Sequence, residues 1–188
     1  MKLDKIADVS TGLVLARKKA SGNNGFGYEL LTLRSFNENG YIEDDYLDDF
    51  ISEDKINQQY LTKEGDVIVR LSSPNTAVYI TKELENMVIP SLFAIIRNES
   101  NNILSEFIAV FLNSKKCRRL LAADTIGSVI SIVKTSAFKD LHIPKYTIEK
   151  QRDIIKVNSL VIKEKKLLME LLKEKQKCHK AIMGKMFE

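Results

Sequence analysis

The chain has 188 residues, 44% of them hydrophobic, with 29 Lys and Arg against 25 Asp and Glu for a formal net charge of +4. That composition supports one good hydrophobic core, or a core with an appendage, and excludes a disordered or membrane-embedded chain. The longest uncharged apolar run, residues 87–96, contains Pro90 and Ser91 and is too short to span a bilayer. Residues 1–5 carry no apolar signal region, and the two cysteines, Cys117 and Cys178, have neither metal-ligand spacing nor a disulfide framework. These features predict a cytoplasmic protein without a membrane partner.

Charge is unevenly placed. The forty residues from Glu149 onward hold 11 Lys and Arg against 6 Asp and Glu, and the preceding 148 hold the other 18 against 19. Seven acids fall within residues 43–54, while bases cluster at Arg17-Lys18-Lys19 and at Lys115-Lys116-Cys117-Arg118-Arg119. Segregation of this kind suits a protein with one anion-facing surface, or equally a set of solvated loops.

In chain order, a short lead-in over residues 3–9 is followed by the turn Ser10-Thr11-Gly12 and a polar, basic, glycine-rich loop over residues 17–27. Residues 28–33 read as a strand, returning through the tight turn Asn37-Glu38-Asn39-Gly40 to Tyr41-Ile42. The acidic segment 43–54 follows, with Tyr46, Leu47, Phe50 and Ile51 as its expected buried positions. Gly65-Asp66 turns into Val67-Ile68-Val69-Arg70-Leu71, a β-branched strand, and Ala77-Val78-Tyr79-Ile80 is its return partner beyond Ser72-Ser73-Pro74-Asn75. Residues 87–89 and 93–97 give one or two further strands, broken at Pro90. From Ser105 the apolar period changes to that of an amphipathic helical hairpin, with Phe107, Ile108, Phe111, Leu112, Leu120 and Leu121 on its inner face. A polar segment 124–128, an alternating segment 129–133, a helical turn at 135–138 and a short strand at 141–143 complete a head of α+β class.

The last stretch differs in kind. Ile154, Val161, Leu168 and Ile182 fall on one strict seven-residue repeat interrupted by Lys175, and Val157, Leu171 and Cys178 fall three residues later, with Glu164 and Lys185 as exceptions. This is the pattern of a helix built to lie along another helix, roughly 55 Å long at the α-helical rise. The first 148 residues are too few to cover it, so its expected partner is another chain. The reading is a head over residues 1–146 and a helical arm over residues 147–188 that pairs as a coiled coil.

No catalytic arrangement emerges. His142 and His179 lack a nearby nucleophile or carboxylate set, Gly25-Phe26-Gly27 is too sparse for a phosphate loop, and the acids of 43–54 match no metal-binding spacing. No catalytic residue, metal ligand or cofactor is expected.

The order of signals from Gly127 onward is distinctive: a Gly-Ser turn, the alternating Val129-Ile130-Ser131-Ile132, a helical turn with Phe138, Leu141-His142-Ile143-Pro144, then Gln151 opening the long helix. Together with Gly65-Asp66-Val67-Ile68 and the opening Lys2-Leu3-Asp4-Lys5-Ile6-Ala7-Asp8, this resembles the target-recognition domain and helical spacer of type I restriction-modification specificity subunits. The resemblance spans nearly the whole chain on short motifs whose order carries the weight. It departs from the family at Lys150-Gln151, where Glu-Gln is usual, and in holding one recognition domain and one spacer where a full subunit has two of each.

What the resemblance implies is a non-catalytic half-subunit that reads double-stranded DNA beside separate methyltransferase (modification) and nuclease/translocase (restriction) subunits. Two copies would form a homodimer through Ile154, Val157, Val161, Leu168, Leu171 and Ile182, with Lys175 helping to fix register and an interrupted palindrome as target. Base and phosphate contacts need Arg, Lys, Asn, Ser or Thr on ordered loops. The candidates are Arg17, Lys18, Lys19, Asn23 and Asn24 on the first loop and Arg34 after its strand; Arg70, Ser72, Ser73, Asn75 and Thr76 around the central hairpin; and Thr125, Ser128 and Lys134 around the Gly-Ser turn. Two other classes stay open: a coiled-coil adaptor without DNA specificity, and a free-standing nuclease using the acidic cluster.

Overall fold

The computed structural model describes residues 1–20, 25–123 and 132–187. Its centre is the β-branched run predicted as a strand: β6 (Asp66–Arg70) lies between β7 (Ala77–Tyr79) and β8 (Phe93–Asn98), and β8 pairs in turn with β1 (Ala7–Thr11). All pairings are antiparallel, with Ile68 opposite Val78 and Ile95, and Val9 opposite Ile96, giving the order β1-β8-β6-β7.

Both faces of this sheet are buried. Val67, Val69, Ala94 and Ile96 pack with Phe107 and Ile108 of helix α1 (Ser105–Leu112), Leu121 of α2 (Lys115–Ala123) and Phe138 of α3 (Thr135–Lys139). Ile68, Val78, Phe93 and Ile95 pack on the opposite side with Leu31, Phe36, Ile42, Met87 and Ile89, where the Phe36 and Phe93 rings lie 4.6 Å apart. A strand covered on both faces has no polar side to alternate with, which is why β6 reads as an unbroken apolar run.

The second layer departs from the sequence reading. β2 (Phe26–Leu30) pairs with β5 (Asp48–Ser52), Tyr28 opposite Phe50, and not with the residues after the 37–40 turn. That turn joins its own two-residue strands, β3 (Phe36–Asn37) and β4 (Tyr41–Ile42), with Gly40 at φ +89° and the Asn37 side chain accepting the Asn39 N–H at 2.9 Å. The acidic segment is therefore partly a strand. Phe50 is its buried anchor, while Tyr46, expected inside, is exposed and lies beneath the Arg34 guanidinium. The expected strand at 141–143 is instead a strap along the start of the chain: the Leu3 and Ile143 N–H groups donate to Leu141 and Met1.

The arm is one helix, α4 (Ile148–Met186), 39 residues long, begun by Thr147, whose side chain accepts the Lys150 N–H. Its root is locked. Gln151 is fully buried, accepts the Leu104 N–H at 2.9 Å and donates to the carbonyls of Asn102 and Tyr146, both at 3.0 Å. Against expectation the head covers more than the root. Ile154 and Ile155 pack on the core beside α1, the Lys165 ammonium donates to Asn39 at 2.8 Å, and Lys166 sits 3.9 Å over the Tyr41 ring. The outward side stays open, with Val157, Leu168 and Ile182 each more than half exposed.

Candidate nucleic-acid interface

Four separate stretches meet at one end of the central sheet. β1 ends there, and Gly12 donates its N–H to the Phe93 carbonyl, while Leu13 donates its N–H to the Ile89 carbonyl and accepts the Ser91 N–H on its own carbonyl. A Cβ on Gly12 would collide with the Ile89 and Pro90 carbonyls, so only glycine allows the first loop to leave the sheet at this point. The Leu71 N–H donates to Leu92, and the Val133 N–H donates to Leu71, which brings Ile132 opposite Ser72. The chain leading into the first loop at Gly12 and Leu13, residues 89–92, the β6–β7 hairpin and residues 132–133 thus share one rim.

On this rim Arg70 is half-buried. Its guanidinium makes long bonds, 3.4 Å each, to the Ser72 hydroxyl and the Ser73 carbonyl, and its buried Nε has no partner among the described residues. Burial lowers its pKa, yet an arginine keeps its charge at neutral pH, so a weakly satisfied cation stands at the mouth of the hairpin. Ser72 and Ser73 flank it, the Ser73–Pro74 peptide being cis, and Leu92 and Ile132 add about half-exposed apolar surface. Lys134 follows as the exposed residue that caps α3.

Asn75 and Thr76 do not join this surface. Asn75 adopts φ 54° and donates its amide to the Arg70 and Leu71 carbonyls, and Thr76 is fully buried. Both hold the turn. Short polar side chains in tight turns commonly bond their own backbone, and the sequence pattern of a polar loop tip does not separate that role from ligand contact.

The first-loop cluster divides. Arg17 is exposed at the end of a short 3-10 turn, Leu15–Arg17. Lys18 is paired with Asp54 at 2.8 Å, a hydrogen bond and charge that raise its pKa, and Lys19 forms a bridge to Ser52 with its side chain exposed. This basic patch therefore lies against the β2–β5 ribbon and is partly neutralised by it. Arg34 is elsewhere, in the turn before β3, stacked 4.8 Å over the Tyr46 ring on the flank where α4 passes. Asn23, Asn24, Thr125 and Ser128 lie outside the described residues.

One feature was missed. Asn113 presents its amide to the β7 edge, accepting the Ala77 N–H and donating to the Ala77 carbonyl, and Arg118 donates to Asn113 and to Glu38. This ties α2 to the sheet and leaves Lys115, Lys116 and Arg119 exposed. Among the described residues there is no group of three or more His, Cys, Asp or Glu able to hold a metal ion, and no helix long and apolar enough to cross a membrane.

No protein-family model and no curated protein matches this chain. Solved structures do. The HsdS subunit from Thermoanaerobacter tengcongensis superposes with a TM-score of 0.68 at 15% identity, over 97% of this chain and 46% of that one. The S subunit of a type I restriction-modification system from M. genitalium gives 0.55 at 16% identity, over 94% and 42%. A chain from a structure describing complex assembly and conformational transition of the type I restriction-modification system gives 0.58 at 13% identity, over 89% and 39%. The chain spans less than half the length of each. Head and arm together therefore have the fold found in type I S subunits, as the order of motifs implied.

Proposed function

We propose that this chain is a non-catalytic DNA-reading unit of a type I restriction-modification system, with residues 1–146 recognising one half-site of double-stranded DNA and residues 147–188 serving as spacer. The observation that carries this reading is the S-subunit-like fold running through head and arm alike over 97% of the chain. Arg70, Ser72 and Ser73 on the sheet-end rim supply base-reading groups, with Arg17, Lys19, Lys134 and the exposed cations of α2 toward the phosphates. The open apolar stripe of the arm takes a second such helix from another copy, and the assembled pair works beside methyltransferase and restriction subunits in the cytoplasm.

The test is selection of bound sequences from random duplex DNA by the chain together with a modification subunit. The expected product is a bipartite motif whose affinity falls steeply with salt. Recovery of unselected sequences at every salt concentration would refute it and favour an adaptor role.

A further inference from the structure

Two arginines lie on the same face of the central sheet, one toward each end, and the fold treats them differently. Antiparallel partners share a face and alternate residues of a strand return to it. Asp66, Ile68 and Arg70 of β6 therefore stand with Arg97, Ile95 and Phe93 of β8. Arg97 is well met: its Nε donates to Asp66 at 3.1 Å and a terminal nitrogen donates to the Leu61 carbonyl, also at 3.1 Å. Arg70 has no such carboxylate. It belongs to none of the ion pairs among the described residues, and burial is the one cause that lowers its pKa. A cation half out of water and without a counter-charge destabilises the free chain, and a ligand that meets it offsets that cost.

The arginine is held at its base. Its backbone N–H donates to the Thr76 carbonyl at 3.0 Å and its own carbonyl accepts the Asn75 amide at 3.1 Å, which fixes the hairpin mouth from which it projects. Its Nε is buried, so a ligand meets the terminal nitrogens. One of these makes the two 3.4 Å bonds to Ser72 and Ser73, long enough to yield to a stronger acceptor. Ile132 completes the arrangement. Its bridge to Ser72 puts its side chain on the side of the Ser72 hydroxyl, to which Arg70 reaches, while Val133 beside it turns into the core. At 47% exposure, Ile132 is an open apolar group next to a two-pronged donor.

Duplex DNA offers two kinds of acceptor to such a group. Phosphates lie on the outside of the helix, where exposed and freely swinging cations such as Arg17, Lys19 and Lys134 reach them. A recessed guanidinium presenting its terminal nitrogens end-on instead matches the O6 and N7 acceptors that lie side by side on the major-groove edge of guanine. Thymine is the one base with a methyl group in that groove, and Ile132 offers the apolar contact that suits it. We propose that Arg70 reads a guanine in the major groove, with Ile132 against the methyl group of a thymine at the adjoining base pair. The proposal rests on the DNA-reading part of the functional reading and narrows the half-site to one that contains both bases.

The probes are the duplexes selected from random DNA by the full chain with a modification subunit. They are expected to share an invariant guanine. Replacing it by 7-deazaguanine, which lacks the N7 acceptor and keeps its base pairing, should weaken binding by on the order of tenfold in the unaltered protein and leave Arg70→Ala indifferent. Arg70→Lys keeps the charge without the fork, and should lose most of the discrimination at that position while holding the salt dependence. Replacing the adjoining thymine by deoxyuridine, which lacks only the methyl group, should weaken binding about fourfold in the unaltered protein and have no effect on Ile132→Ala. A selected motif in which no guanine responds to the replacement overturns the proposal while leaving DNA reading intact. So does an Arg70→Ala variant that loses affinity equally for every sequence and lowers the salt slope, the behaviour of a phosphate contact. A guanine response without a thymine response overturns the role of Ile132 alone. Failure to select any motif overturns the DNA reading itself, and the proposal with it.

Discussion

Arg70 concentrates the residue-scale argument, because its charge is half-buried, loosely bonded and aimed from the rim where four stretches meet. Arg70→Ala is expected to cost about 1–3 kcal/mol of discrimination at one position of the target, seen by comparing affinities for singly altered duplexes. Lys19→Glu should instead weaken all sequences alike and lower the salt slope by about one. The two cysteines give a check independent of DNA. Burial pushes the Cys117 thiol up to about 12, and it is the thiolate that reacts, so at pH 8 a maleimide should label Cys178 and spare Cys117 until the chain unfolds. Labelling of both thiols in the native protein would contradict the burial of α2 against the sheet.

At the scale of elements, the ion pair at the far end of β6 is the sharpest prediction. Asp66 is buried and accepts the Arg97 Nε at 3.1 Å, and Arg97 also donates to the Leu61 carbonyl. Asp66→Ala leaves a partly buried guanidinium without its carboxylate, and denaturant titration should show a loss of about 3 kcal/mol. The elements that were legible in sequence are those whose signal is local: the β-branched run of β6, the period of α1 and α2, and the heptads of α4. The β2–β5 pairing was not, because nothing in residues 26–30 specifies a partner twenty residues on when a nearer turn offers one. The same limit affected the site. Arg70, Ser72 and Ser73 were identified as surface groups, but whether Asn75 faces a ligand or its own turn, and whether Lys18 is free or held by Asp54, depends on tertiary neighbours.

For the whole molecule, what matters is how the arm is held to the head. Gln151→Ala strands the Leu104 N–H and two carbonyls in a buried site, at about 1–3 kcal/mol. Hydrogen exchange at the Leu104 amide should accelerate, while the rim around Arg70 keeps its protection. The second hold, at Lys165 and Lys166, is exposed or half-buried, and a cation over an exposed ring contributes only about 0.5–1 kcal/mol. The two holds are 15 residues apart, about 22 Å of helix, and Met186 stands 35 residues from the first, about 52 Å away. The arm is therefore a lever with a stiff pivot, a soft stop and a gain of a little over two. A shift of 1 Å where Lys166 meets Tyr41 swings the helix tip by more than 2 Å, so single substitutions at this surface contact can re-aim the arm without touching the rim around Arg70.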